Sequence, residues 1–338
     1  MPERTYPSGL RHSYPFDPSY GYDLEDLLAV EPPPQPPGFA AFWSARYQQA
    51  LQVDPRPTLQ PSRYRREGYR VSDLEYCSTD GFPIRGWLLE PVQGPVRQGF
   101  LVGHGYGGIE RPDFELPCDD AVYLALCFRG LCRSRRPPIS ENPAWHVLHD
   151  IHSRERYILG GCVEDLWTGV SALLHLHAHL QGRIGYLGIS FGGGIGALAL
   201  PWEPRIARGH LKVPTFGHHP LRLRLPTTGS GAAVQAFASR HVHVTETLAY
   251  YDAAVAATYI RQPMHLAAAL FDPAVAPPGQ FAVYNALPGP KALFVLTAGH
   301  FEHAESAAED RRLLSELRGF FSCDEPRIPS LVQPTTGP

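Results

Sequence analysis

A serine hydroxyl is barely ionised at neutral pH, so a serine that does chemistry needs a base within hydrogen-bond reach and an acid to fix that base's tautomer. Gly188-Ile189-Ser190-Phe191-Gly192 has the G-x-S-x-G spacing of a strand-to-helix turn with an exposed serine, because residues flanking so sharp a turn must be small. The apolar run Ile184 to Leu187 precedes it, and the small-residue stretch Gly193 to Leu200 follows as a helix start whose dipole points at the serine. Asp272 follows the apolar run His265 to Phe271, and His300 follows the run Ala292 to Thr297 after a glycine. Each has a plain structural reading when taken alone: a glycine-rich turn, an aspartate before Pro273, a loop histidine. Their order (serine, acid, histidine) and their shared position at strand ends point instead to acyl transfer through Ser190, with His300 as base and Asp272 as its orienter.

Two rivals stand beside these residues. His303 lies three positions beyond His300, and Asp252 sits in Tyr250-Tyr251-Asp252. His300 is preferred because Gly299 lets the chain turn immediately after the strand, and Asp272 because Asp252 falls inside a long connection. A second glycine-rich stretch, Gly103-His104-Gly105-Tyr106-Gly107-Gly108, follows an apolar run from Gly99. The backbone N–H groups of Tyr106 and Phe191 are the candidates for an oxyanion hole, where each fixed donor is worth roughly 3 to 4 kcal/mol of barrier.

The elements that must hold these groups are legible as periodicity. Strand-like runs at Tyr69 to Cys77 and Ile84 to Pro91 flank Thr79-Asp80-Gly81, where Asp-Gly supplies the positive φ angles of a tight hairpin. Short apolar runs then alternate with helical segments: Gly99 to Gly103, Val122 to Phe128, Ile184 to Ile189, Ala207 to Val213, His265 to Phe271 and Ala292 to Thr297. The alternation predicts the α/β-hydrolase fold, a mostly parallel central sheet with an antiparallel N-terminal hairpin, helices on both faces and a short lid insertion. Val163 to Leu180 is the clearest helix, with one apolar stripe at three-and-four spacing. Residues 1–68, rich in proline and aromatics with a short helix at Phe39 to Leu51, read as an arm packed on the core. Residues 69–325 form the catalytic domain, about 214–262 the lid, and 326–338 a frayed tail.

Composition bounds the partners. The 338 residues carry a formal charge of -3, 43% hydrophobic and 19% charged side chains, without a long run of one sign. Nucleic acid and anionic lipid are therefore excluded as expected partners. The N-terminus lacks the apolar core of a signal peptide, so a cytoplasmic location is expected, and the six cysteines read as packed free thiols. The chemistry calls for no cofactor and no metal. A metal-dependent hydrolase is a competing reading because of the 16 histidines, but His175, His177 and His179 would splay around a helix, and His218-His219 offers only two donors. A non-catalytic binding module on the same fold is the other.

Several stretches resemble the acetyl xylan esterase and cephalosporin C deacetylase family, carbohydrate esterase family seven. They are Thr79-Asp80-Gly81 with Gly86-Trp87-Leu88-Leu89, His104-Gly105-Tyr106-Gly107-Gly108, Arg129-Gly130, Ser190-Phe191-Gly192-Gly193-Gly194, Glu203-Pro204-Arg205-Ile206, Asp272 with Pro277-Pro278, Phe281-Ala282-Val283-Tyr284-Asn285, and Gly299-His300. The resemblance runs from about Phe39 to Phe320. It implies a serine esterase acting on acetyl esters of carbohydrates or similar polar small molecules, with the triad on Ser190, Asp272 and His300 and the oxyanion donors on Tyr106 and Phe191. It also implies a homo-oligomer, commonly a hexamer, with the hairpin strands helping in the contacts. Two stretches depart from the family: Phe191 stands where glutamine is usual, and Leu131-Cys132 replace Gln-Gly. An aromatic ring at the mouth would alter the substrate. Arg222, Arg224, His241 and His243 give the lid a mixed surface, unlike the apolar flap of a lipase.

Overall fold

The computed structural model describes residues 9–322 together with the short strand β1 (Arg4–Thr5), which pairs antiparallel with β2 (Arg11–His12). Cys323 and the tail 326–338 lie outside the described residues. The helix α1 (Leu24–Leu28) starts on a reciprocal cap, in which Asp23 accepts from Asp26 N–H and the Asp26 side chain accepts from Asp23 N–H. In α2 (Phe39–Leu51), Phe39, Trp43, Tyr47 and Ala50 recur at helical spacing and are buried as one stripe.

A nine-stranded sheet follows. β3 (Thr58–Pro61), β4 (Tyr69–Cys77) and β5 (Pro83–Pro91) are antiparallel, and Asp80 and Gly81 between β4 and β5 take φ of 57° and 63°. β3 did not show in the sequence because its four residues have no buried face of their own, and pairing with β4 makes it a strand. It also covers the hairpin edge that the sequence left open.

The parallel part is β6 (Gln98–Gly103), β7 (Ala121–Cys127), β8 (Ile184–Ile189), β9 (Ile206–Lys212), β10 (Met264–Ala269) and β11 (Lys291–Leu296), in the order β11-β10-β9-β8-β6-β7-β5-β4-β3 across the sheet. β5 joins β7 antiparallel. The short helix α3 (Pro143–His146) precedes α4 (Ile158–Leu176). α4 begins five residues before the expected start, because Ile158, Leu159 and Cys162 extend its buried stripe through Gly160-Gly161. It ends at Leu176, and a separate turn covers Ala178–Leu180. α5 (Phe191–Ala199) leaves β8 directly.

Between β9 and β10 the long connection forms α6 (His219–Arg222), α7 (Gly229–Ala238), α8 (Val244–Ala249) and α9 (Ala253–Ala257). α10 (Pro277–Ala286) links β10 to β11, and α11 (Ser306–Phe321) closes the chain by laying Leu313, Leu317, Phe320 and Phe321 on one face of the sheet. The other face carries the larger core, with α2, α4, α5, α9 and α10. Residues before β3 reach both the β9–β10 connection and the loop after β10: Trp43 Nε1–H donates to Tyr250 O at 2.9 Å, Tyr20 O–H to Pro226 O at 2.7 Å, and Asp272 N–H to Pro18 O at 3.0 Å. No helix among the described residues is long and apolar enough to cross a membrane.

Candidate active site

Ser190 stands at the β8–α5 junction with φ 53° and ψ −109°, a backbone conformation that costs an L-residue on the order of 1–3 kcal/mol. Its surroundings enforce it. Ser190 N–H donates to Lys212 O at 2.8 Å, and Gly192 N–H donates to His104 O at 2.9 Å. A side chain on Gly192 would collide with the Gly103 carbonyl, so the G-x-S-x-G glycine is required by the close approach of α5 to the end of β6.

The loops after β10 and β11 deliver the other two groups. His300 Nε2 lies 2.8 Å from Ser190 Oγ, and His300 Nδ1 lies 2.8 Å from Asp272 Oδ2. An ionised carboxylate only accepts, so Nδ1 carries the proton and Nε2 is left free to accept from the serine. Asp272 is fully buried, and its Oδ1 accepts Ala274 and Val275 N–H at 2.9 Å each. Burial pulls the His300 pKa down, but the Asp272 charge and hydrogen bond outweigh it and leave it raised above 6.5. Gly299, expected as the residue that turns the chain, has another role. A side chain there would strike Asp272 Oδ2, while His300 itself takes the positive φ of 48°.

The loop after β6 lies over the serine. His104, buried, donates from Nδ1 to Gly105 O at 2.7 Å and accepts from Phe128 N–H at Nε2, and burial lowers its pKa to about 4, so it works as a neutral clasp. Tyr106 O–H points to His146 Nδ1 at 3.2 Å, and His146 Nε2 meets Arg129 O at 2.9 Å. The Phe191 ring does not stand at the mouth. It is fully buried, 4.1 Å from the Tyr106 ring and edge-on to Phe128, Phe216 and His146, so it packs in the core and does not line the cavity over Ser190. Cys132 departs from simple core packing: it is half-buried and accepts from Ile109 N–H at 3.3 Å, and a hydrogen bond from Cys127 lowers its pKa to about 7.

The rivals have other partners. His303 Nε2 faces Glu309 at 3.4 Å and its Nδ1 accepts from Glu305 N–H. Asp252 accepts four backbone N–H groups, from His218, His219, Ala254 and Val255. His177 pairs with Glu90 and His179 with Val96 O, and among the described residues no group of three His, Cys, Asp or Glu is placed to hold a metal. The cavity over Ser190 holds about 500 Å³. Ile109, Phe114, Pro143, Ile189 and Val275 make its wall largely apolar, and Thr215, Thr228 and Ser230 also line it, the Thr228 hydroxyl donating to Pro273 O at 3.2 Å. Arg222, Arg224, His241 and His243 are not among its lining residues; Arg222 instead stacks over Phe216 and binds His219, and His241 and His243 pack beside His152. Only Arg222 of the four is helical, at the end of α6; Arg224, His241 and His243 lie in the turns between the helices.

A serine raised on such a turn above a parallel sheet, facing the loops of two later strands, is the arrangement of the α/β hydrolases, and the fold assigns the chain to that class. The acetyl xylan esterase family model matches residues 23–315, and the chain belongs to that family. It is accordingly a carboxylic ester hydrolase. Among solved structures, acetyl xylan esterase 1 from Thermoanaerobacterium sp. superposes with a TM-score of 0.74 at 19% identity, covering 89% of this chain and 99% of that one. The acetyl xylan esterase from Paenibacillus sp. gives 0.71 at 21%, covering 87% and 99%. A Pyrococcus horikoshii acylaminoacyl peptidase shares the fold at 0.56 and 15% identity over 76% of this chain and 41% of its own.

Proposed function

We propose that this chain hydrolyses acetyl esters of carbohydrates or similar polar small molecules through an acyl-enzyme on Ser190. His300 takes the Ser190 proton as Oγ attacks the carbonyl carbon, and returns it to the leaving alcohol. Asp272 holds the imidazole with its proton on Nδ1 and stabilises the imidazolium. Water then repeats the sequence against the acyl-enzyme. The observation that carries this reading is the continuous relay Ser190 Oγ to His300 Nε2 and His300 Nδ1 to Asp272 Oδ2, each link 2.8 Å.

Tyr106 and Phe191 N–H groups form the oxyanion hole in this reading. Its support is that neither donates to a backbone carbonyl among the described residues, while the Tyr106 and Phe191 rings, tilted at 32° with centroids 4.1 Å apart, pack the two segments together. The acetyl preference is drawn from the family and from the modest cavity, and the presence of Thr215 and Ser230 in its lining suits a polar alcohol. We propose the homo-oligomer on the family likeness alone; a light-scattering mass near the 37.4 kDa of one chain at micromolar concentration would contradict it.

The deciding experiment is kcat/KM for nitrophenyl esters from acetate to octanoate, alongside acetylated sugars. Each methylene accepted by an apolar acyl pocket is worth roughly 1 to 3 kcal/mol. A closed acetyl pocket gives a maximum at acetate; a maximum at hexanoate or beyond overturns the acetyl reading. Ser190→Ala, folded but retaining wild-type turnover, overturns the acyl-enzyme itself.

A further inference from the structure

Gln280 is fully buried in the first half of α10, eight residues beyond Asp272. Its carboxamide makes three hydrogen bonds that together fix which way it faces. Ala269 N–H, at the end of β10, donates to Oε1 at 2.9 Å, a role only the oxygen can fill. The amide nitrogen is thereby turned the other way, donating to Val275 O at 2.6 Å and to Asp272 Oδ2 at 3.0 Å. That last oxygen is the one His300 Nδ1 meets. The aspartate therefore has four donors: Ala274 and Val275 N–H on Oδ1, His300 and Gln280 on Oδ2.

We propose that Gln280 is a positioning residue for the Asp272–His300 pair, a reading that rests on the relay proposed above. It acts on the carboxylate in two ways. Its donor blocks rotation of the carboxyl about its terminal torsion, because any turn that breaks the Oδ2 bond also breaks the two backbone bonds to Oδ1. It also draws negative charge toward its own hydrogen, so that Oδ2 pulls less strongly on the imidazole proton. With the donor removed, the full carboxylate charge acts on His300, its imidazolium form is favoured, and the base becomes neutral only at higher pH. Gln280 also ties the strand end, the acid loop and α10 into one unit, so its loss has a structural side that the test must separate.

The test is the pH profile of kcat/KM for Gln280→Met, which keeps the volume and removes the donor, measured beside wild type and Ser190→Ala with the fold checked by circular dichroism. The expected result is a kcat lower by about tenfold, the equivalent of one hydrogen bond to a charged group, with KM nearly unchanged and the acid limb moved to higher pH. A variant of lowered Tm whose kcat and acid limb coincide with wild type overturns the inference and leaves Gln280 a structural clasp. If Gln280→Met does not fold, Gln280→Glu serves. A second carboxyl against Oδ2 supports the relay only while protonated, so a new loss of activity on the alkaline side is expected, and a profile superimposable on wild type overturns the inference. Ser190→Ala separates the two readings: if it stays active the relay itself fails, and if it is dead while both Gln280 variants behave as wild type only the role of Gln280 fails.

Discussion

Asp252 and Asp272 stand in the same local turn. Both are buried, and each uses Oδ1 to accept the N–H groups two and three residues on, Ala254 and Val255 for the first and Ala274 and Val275 for the second. They part at the second oxygen. Asp252 gives Oδ2 to His219 N–H at 2.6 Å and adds His218 N–H on Oδ1, so every partner is backbone, and the residue clasps α6 to α9. Asp272 gives Oδ2 to an imidazole and a carboxamide. Backbone amides neither titrate nor transfer a proton, so the first aspartate can only hold structure, whereas the second is coupled to a base. The electrostatics follow: burial, only partly offset by the four amides, raises the Asp252 pKa to about 6, while the charge on Asp272 raises that of His300.

The comparison breaks most visibly through the group on that second oxygen. His300→Ala is expected to cost about 10⁶-fold in kcat, as removal of a base from an integrated triad does, while His303→Gln, which disturbs the Glu309 pairing and the Glu305 N–H contact but nothing at Ser190, should leave turnover close to wild type. Steady-state kinetics on the two variants decides, and the opposite ranking would move the base to His303. Asp272→Asn should lose about 10⁴-fold with the fold intact, because an amide permits the wrong imidazole tautomer. Asp252→Asn should instead keep kcat/KM and lose about 1–3 kcal/mol in urea unfolding, because its N–H₂ group would face a backbone N–H. Equal losses of activity in the two would show that the second oxygen is not what distinguishes them.

Acid sharpens the contrast further. In the proposed relay His300 acts as the neutral base, so the acid limb of kcat/KM should have its midpoint above 6.5. Asp252 has a folded pKa raised from 3.8 to about 6, so between those values the folded state binds more protons than the unfolded one. Its contribution to stability is therefore fully present below 3.8 and is lost as pH rises to about 6. The pH dependence of unfolding for Asp252→Asn should lack that falling segment, and an unchanged dependence would contradict the assignment. The smallest effect is expected at Tyr106→Phe. Its phenol only satisfies His146, so about 1 kcal/mol of stability should be lost with most of kcat retained.

Much of the site was legible before any coordinates. The Gly188 to Gly192 turn, the apolar run before it, the small-residue helix start after it and the strand-end positions of Asp272 and His300 are local patterns; Asp252 is separable by lying inside the long connection, and His303 by lying beyond the turn at Gly299. Gln280 was not legible. Within α10 it reads as one polar residue in a buried segment, and its meaning comes from Ala269 and Asp272 on another element. His104 is a similar case, taken as part of a glycine-rich loop until Phe128 N–H and Gly105 O gave its ring two fixed partners. The connection between β9 and β10 misled in the opposite sense, since Arg222, Arg224, His241 and His243 suggested a mixed polar surface over the site and none of them lines the cavity.

By itself the sequence determined the alternation of strands and helices, the strained turn that carries Ser190 and the order in which acid and histidine follow. These depend on residues within a few positions of one another, where apolar spacing, glycine and turn chemistry act directly. Only the tertiary structure decided that His300 reaches a serine 110 residues away at 2.8 Å, that Asp272 rather than its twin Asp252 has an imidazole on its second oxygen, and that the Phe191 ring packs in the core and not at the mouth. Those outcomes are distances between side chains on separate strands and helices, set by how the sheet twists and its faces fill, and no pattern along the chain encodes them locally.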